Sequence, residues 1–273
     1  YADRTEIVSM NKAFHGRSMG ALSVTGTKKY REPFEPLISG VHFAEYNDLK
    51  SVEQSISDKT YAVILEAVQG EGGIYPAEEA FLKGIRELCH KHDIMMICDE
   101  IQCGMGRTGT MFAYEHYGIK PDIVTMAKGI GNGITVGAIA ATEEVAKALV
   151  PGDHGTTFGG NPLACTAVVK SLEIFEEKKI LEHVNTMGKY LEDKLSGLVD
   201  TYAVAKETRG LGLMRGLECD APVGELCSKA LEKGLILMSA GTNVIRFVPP
   251  LVVETCHIDE MTDILEQILS EYQ

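Results

Sequence analysis

Three unbroken apolar runs each end on an ionisable residue: Ala62-Val63-Ile64-Leu65-Glu66, Met95-Met96-Ile97-Cys98-Asp99 and Val124-Thr125-Met126-Ala127-Lys128. Strands covered by helices on both faces read as runs of this kind. Residues 78–92 lie between the first two runs and carry Ala80, Phe81, Ile85 and Leu88 at helical spacing. A further run over residues 136–141 and an earlier one, Ile7-Val8-Ser9-Met10, extend the series. The alternation predicts an α/β fold with a mostly parallel sheet flanked by helices up to Ala141. Parallel strands point one way, so their C-terminal ends line one edge, where open α/β sheets bind ligands. One polar residue at a strand end marks the point where the strand meets water. Three in series, with Gly129, Gly131 and Gly133 after the lysine, point to a site.

Beyond Ala141 the pattern predicts a helix over Pro162–Glu177, with Leu163, Val168, Leu172 and Phe175 as its buried stripe, and a second helix over residues 180–199. Shorter strands are expected at residues 202–204, 211–217, 235–237 and 244–248, and helices at 226–233 and 259–272. This mixture is read as a smaller α/β C-terminal domain over residues 181–273, after a large domain over 1–180. The chain has 273 residues with 45% apolar, enough for a sizeable core. The formal charge of −13 argues against a general nucleic-acid binder, which needs clustered cations. No apolar run reaches the ~18 residues of a membrane span. Seven cysteines, an odd count without C-x-x-C spacing, suit a reducing, cytoplasmic compartment. His90 and His92 make a poor metal site, and no metal is expected.

A lysine at an apolar strand end is a nucleophilic amine suited to carbonyl chemistry. An aspartate on the neighbouring run is the partner that a pyridinium nitrogen requires, so Lys128 and Asp99 together suit pyridoxal 5'-phosphate. Around them stand Asp99-Glu100-Ile101-Gln102, Gly106-Arg107-Thr108-Gly109 and Gly155-Thr156-Thr157-Phe158-Gly159-Gly160-Asn161-Pro162-Leu163. Phe14-His15-Gly16-Arg17 and Glu66-Ala67-Val68-Gln69-Gly70-Glu71-Gly72-Gly73 precede them. In this order the motifs resemble those of the class III (ω-amino acid) aminotransferases, from one end of the chain to the other. The resemblance implies fold type I and pyridoxal 5'-phosphate as cofactor. It also implies a small-molecule amino donor, a 2-oxo acid acceptor and a homodimer with shared active sites.

Roles follow from the resemblance. Lys128 would carry the cofactor and shuttle a proton, and Asp99 would keep the ring nitrogen protonated. Phe14 would stack on the ring, Gln102 would lie near its phenolic oxygen, and Thr157 would reach the phosphate held by the partner subunit. Thr156 and Arg17 would face the substrate. Arg246 would take a carboxylate bidentately, with Glu71 pairing to it when the incoming amine is terminal and releasing it when glutamate binds. The implied reaction moves an amino group between N-acetylornithine and 2-oxoglutarate, with ornithine, succinylornithine and 4-aminobutyrate as alternative amines.

Taken singly, several of these residues have plainer readings. Phe14 suits a core, Thr156 and Thr157 suit capping of the helix that Pro162 begins, Arg246 suits an edge-strand surface, and Glu71 suits a loop. Gly104-Met105-Gly106-Arg107-Thr108-Gly109 also spells the dinucleotide fingerprint, which would make the chain an NAD-dependent dehydrogenase. Against that, residues 99–103 separate it from the strand, and acids at the strand end would repel a pyrophosphate. The family's glycine–threonine or glycine–serine phosphate loop is not matched, and the first residue is Tyr1. The expectation is the back two-thirds of a longer chain. The alternatives are a naturally shortened, non-catalytic homologue and a half completed by another chain.

Overall fold

The computed structural model describes residues 3–272; Tyr1, Ala2 and Gln273, and with them the first residue on which the fragment reading leans, lie outside the described residues. The strands, in chain order, are β1 (Glu6–Met10), β2 (Val41–Ala44), β3 (Thr60–Leu65), β4 (Val68–Gln69), β5 (Tyr75–Pro76) and β6 (Met95–Asp99). They continue with β7 (Ile123–Met126), β8 (Ala138–Ala141), β9 (Ala205–Leu211), β10 (Met214–Cys219), β11 (Met238–Ala240) and β12 (Val244–Phe247). The helices are α1 (Met19–Ser23), α2 (Lys28–Arg31), α3 (Leu49–Ser55), α4 (Glu79–His92), α5 (Glu143–Ala146), α6 (Pro162–Glu177), α7 (Ile180–Thr201), α8 (Gly224–Glu232) and α9 (Thr255–Leu269).

The large sheet runs β2-β1-β3-β6-β7-β8. Every neighbouring pair is parallel except β7–β8, which is antiparallel. The expected mostly parallel sheet is therefore present. Its three central runs are adjacent, with Leu65 opposite Cys98 and Asp99 opposite Thr125. α4 buries Phe81, Leu82, Ile85, Leu88 and Cys89 against the sheet. It stops at Asp93, whose left-handed backbone (φ 52°) lets its N–H reach the Cys89 and His90 carbonyls. A second apolar core gathers α7, α8 and α9 on the antiparallel sheet β11-β12-β10-β9, from Ile180 to Leu269.

Several sequence expectations need correction. The run at 136–141 is an exposed antiparallel edge strand, Ile139 included, and not a buried strand. Residues 202–204 are no strand. Tyr202 caps α7 by donating to the Leu198 carbonyl, and Ala205 N–H closes a turn on Tyr202. The run 211–217 is broken by a tight turn at Gly212 (φ 52°). It joins β10 to β9, whose polar sequence hid it. Leu235 N–H donates to the Ala230 carbonyl after Gly234 (φ 86°), so residue 235 closes α8, and the strand starts at Met238. α9 starts at Thr255, not 259. α6 has the expected bounds but not the expected stripe. It buries the small Ala164 and Ser171, leaves Val168 and Phe175 half-buried, and exposes Leu163 and Leu172. No helix among the described residues is long and apolar enough to cross a membrane.

Candidate active site

The three central strands deliver Glu66, Asp99 and Lys128 to one edge of the sheet, as their order requires. Asp99 is 5% exposed. Its Oδ2 lies 2.7 Å from His15 Nδ1, and its Oδ1 accepts from Ile101 N–H (3.0 Å) and Thr125 Oγ1 (3.1 Å). His15 is itself buried, and its Nε2 has no hydrogen-bond partner among the described residues. Glu66 sits in the same neighbourhood and accepts from the Phe14 and Gly70 amides. It thereby ties residues 14–17 and 66–73 together. Burial pushes the Glu66 carboxyl up to about 7, against the pull of His15 and the two amides. Burial likewise raises Glu100 to about 7, although Ala113 N–H, Tyr114 N–H and the Cys103 thiol donate to it.

Lys128 lies just past β7, exposed, with a left-handed backbone (φ 48°). That conformation costs a non-glycine residue about 1–2 kcal/mol. Met105 (φ 51°) and Asn132 (φ 45°) share it. All three line one cavity of about 500 Å³, and strain of this kind clusters at functional sites. The turn after the lysine needs glycine at 131, where a Cβ would fall 2.0 Å from the Ile134 carbonyl oxygen.

Glu71, Gln102 and Arg246 line the same cavity. Arg246, from β12, is buried, and its Nη1 donates to Glu71 Oε1 and to Gln102 Oε1 (3.1 Å). Its Nε is buried without a hydrogen-bond partner among the described residues. The edge-surface and plain-loop readings of Arg246 and Glu71 are thus overturned by burial and by their mutual bond. A Cβ at Gly70 would lie 2.4 Å from the Gln102 side chain, so glycine there gives Gln102 its room.

The remaining candidates stand apart from this cavity. Phe14 is half-buried, edge-on to Tyr30 at 5.7 Å. Arg17 is exposed, with its guanidinium 4.1 Å from the Tyr30 ring centre and 5.6 Å from that of Phe14. Thr156 and Thr157 are exposed in a stretch from 132 to 163 that contains no buried residue. They do not cap α6. That cap is Asn161, whose Oδ1 accepts from Ala164 N–H at 3.0 Å. The fingerprint at 104–109 runs through turns into a short 3-10 segment (Ala113–Tyr117) and opens no α-helix, so it lacks the strand–turn–helix setting of a dinucleotide site. His15, Thr125 and Arg107 carried no role in the sequence reading. The first and last lie inside quoted motifs, which is the signal that was available.

The sequence and the fold match one family. The family model Aminotransferase class-III matches residues 1–269. The acetylornithine aminotransferase of Methanocaldococcus jannaschii is 48% identical over 266 residues, covering 97% of this chain and 67% of that protein. Among solved structures, N-acetylornithine aminotransferase from Stenotrophomonas maltophilia is 33% identical with a TM-score of 0.83, covering 100% of this chain and 67% of that one. Ornithine aminotransferase from Toxoplasma gondii is 30% identical with a TM-score of 0.93, covering 99% and 65%. The chain thus spans about two thirds of the length of these relatives. It belongs to the class-III aminotransferases, a pyridoxal 5'-phosphate-dependent family.

Proposed function

We propose that this chain carries the reaction centre of an enzyme that moves an amino group between N-acetylornithine and 2-oxoglutarate. The observation that carries the proposal is the Glu71–Arg246–Gln102 cluster in the cavity that Lys128 lines. An arginine held by an internal carboxylate can release it to take the carboxylate of a 2-oxo acid, and recover it when the incoming group is uncharged. One site then handles two unlike substrates. The names of relatives at 40–48% identity, acetylornithine aminotransferases, support the choice of amine.

The residues present fit pyridoxal 5'-phosphate. A carboxylate has about four lone-pair sites, and protein donors engage Asp99 three times. Capacity for one more donor remains, which a protonated ring nitrogen supplies. Lys128 provides the amine that holds an aldehyde, one strand away. When bound, the cofactor supplies an aldehyde that accepts the amino group and a ring that withdraws electrons. Lys128 Nζ would hold that aldehyde and would take the proton from the substrate carbon that bears the amino group. Asp99 would keep the ring nitrogen protonated, and His15 holds Asp99 in orientation. Phe14 would pack against the cofactor ring, and Gln102 would stand by its oxygen. Arg17 and Thr156 face the substrate. Thr157 reaches the cofactor phosphate of a second copy in a homodimer.

A division at 180/181 into a large and a small domain is part of the same reading; a second core from Ile180 to Leu269 supports it, although Met214, Ala240 and Val244 pack into the first. Seven unpaired cysteines suit a cytoplasmic location. Steady-state rates of the cofactor-loaded protein on a panel of amines with 2-oxoglutarate test the proposal. The highest kcat/KM is expected with N-acetylornithine. A higher value with ornithine or 4-aminobutyrate would replace the substrate, and no amino transfer to any of them would overturn the reaction.

A further inference from the structure

Arg107 lines the same cavity as Lys128 and Arg246, yet makes no ion pair within 4.0 Å among the described residues. Its partners are backbone carbonyls from the C-terminal part of the chain. Nη1 donates to the Leu213 oxygen at 3.2 Å and to the Pro249 oxygen at 2.5 Å. Leu213 N–H returns a bond to the Arg107 carbonyl at 3.0 Å. Burial alone lowers its guanidinium to about 10, so it stays charged at neutral pH. Keeping a desolvated charge where a neutral side chain would pack more cheaply calls for an explanation.

The two carbonyls locate it. Leu213 is at the tip of the β9–β10 hairpin, and the chain beside it approaches residue 108 so closely that a Cβ at Gly212 would lie 2.5 Å from the Thr108 carbonyl carbon. Pro249 follows the end of β12. The β12 ladder pairs Arg246 with Gly216 and Met238 and ends at the Phe247–Arg215 pair. Pro249 and Pro250 then have no N–H to continue a ladder. Arg246 is therefore one pair from an end that the sheet does not hold. Arg107 holds it, through the carbonyl three residues on, and the same nitrogen holds the start of the neighbouring strand β10. The loop that bears Arg107 also bears Gln102, which accepts directly from Arg246.

We propose that Arg107 is a positioning residue for carboxylate capture: by clasping the Leu213 and Pro249 carbonyls it sets Arg246 at the distance and angle from which it takes a substrate carboxylate. The inference rests on the proposed amino transfer to a 2-oxo acid for its biological sense, but its test does not need turnover. The probe is glutarate, an unreactive dicarboxylate, with its affinity for the cofactor-loaded protein measured by calorimetry. Arg107→Met keeps the length and removes the donors. It is expected to weaken glutarate about tenfold, the scale of coupling between residues in one network. The visible absorbance of the bound cofactor should stay unchanged. Arg107→Lys keeps the charge and one donor group, restores part of the affinity, and guards against a Met variant that fails to fold. In an Arg246→Met background, Arg107→Met should change the glutarate affinity less than twofold, because the residue it positions is gone.

Equal weakening in both backgrounds would overturn the proposal. So would an Arg107→Met affinity within twofold of the starting protein, or a starting protein that does not bind glutarate. A protein that binds glutarate through the Arg107–Arg246 pair yet transfers no amino group to 2-oxoglutarate would sink the proposed function and leave this inference standing.

Discussion

The strand ends around residues 66–102 and the stretch from 132 to 163 treat their residues in opposite ways. In the first, three carboxylates are buried: Glu66, Asp99 and Glu100. Each has its donors supplied by the chain's own amides and side chains. In the second, apolar residues stand in the open, Phe158 at 79% and Leu163 at 70% exposure, as do Leu149 and Val150. A buried carboxylate without donors would cost several kcal/mol, and in the first region the chain itself supplies donors to each one. Where such residues are contiguous they mark a surface that another body covers. The proposed second copy, reaching over with Thr157, is such a body. The difference teaches that this fold satisfies its buried charges from within the chain and leaves residues 132–163 uncovered.

The comparison breaks most readily at Lys128. Replacing it by Ala should abolish amino transfer, a loss of at least about a thousandfold, together with the visible absorbance of the loaded protein. The residue is exposed, so the unfolding free energy should move by less than ~0.5 kcal/mol. A variant that keeps turnover would remove the site from this edge of the sheet. Asp99→Ala comes next. It strands His15 Nδ1, Thr125 Oγ1 and Ile101 N–H in a buried place and should cost about 3–5 kcal/mol of stability in urea unfolding. Much smaller losses would show that the strand-end environment is not complete without ligand.

The pH dependence sharpens the same point. Glu66 and Glu100 have carboxyls raised by burial to about 7 from 4.5. Between these values the folded chain binds more protons than the unfolded one, so stability falls as pH rises from about 4.5 to about 7 and levels off above. Each group contributes a fall of about 3 kcal/mol at most. Glu66→Gln and Glu100→Gln should each flatten the curve of unfolding free energy against pH, and a curve unchanged in both would deny their burial. The smallest effect belongs to the other region. Leu163→Ser should leave the unfolding free energy within ~0.5 kcal/mol while shifting sedimentation toward the smaller species. An unshifted oligomer would separate the patch from self-association.

The fold was largely readable in residues 60–126 because a buried parallel strand is an apolar run, and a run is a local property of the chain. Asp99 and Lys128 stood out there for the same reason, as charges at the ends of such runs. The strand β9 was not readable: Ala205–Leu211 is mostly polar in sequence, and only its pairing with β10 makes it a strand. The stripe on α6 failed because periodicity says which residues share a face, not whether anything covers that face. His15 was quoted with its motif and given no role, since its worth lies in an 84-residue separation from Asp99 that no spacing rule describes.

By itself, the sequence determined the fold class, the order of the central strands' charged ends, and the family through motifs in a fixed order. These rest on contacts near in the chain or on the chemistry of single residue types. The pairing of Glu71 with Arg246 was implied by the family resemblance, and the structure brings the two together across 175 residues. Only the tertiary structure decided that Arg107 clasps the strand end which carries Arg246 and that the stretch around Thr157 has no buried residue. Those facts depend on which strand ends come together and on what covers them. Long-range packing sets both, and no local pattern encodes either.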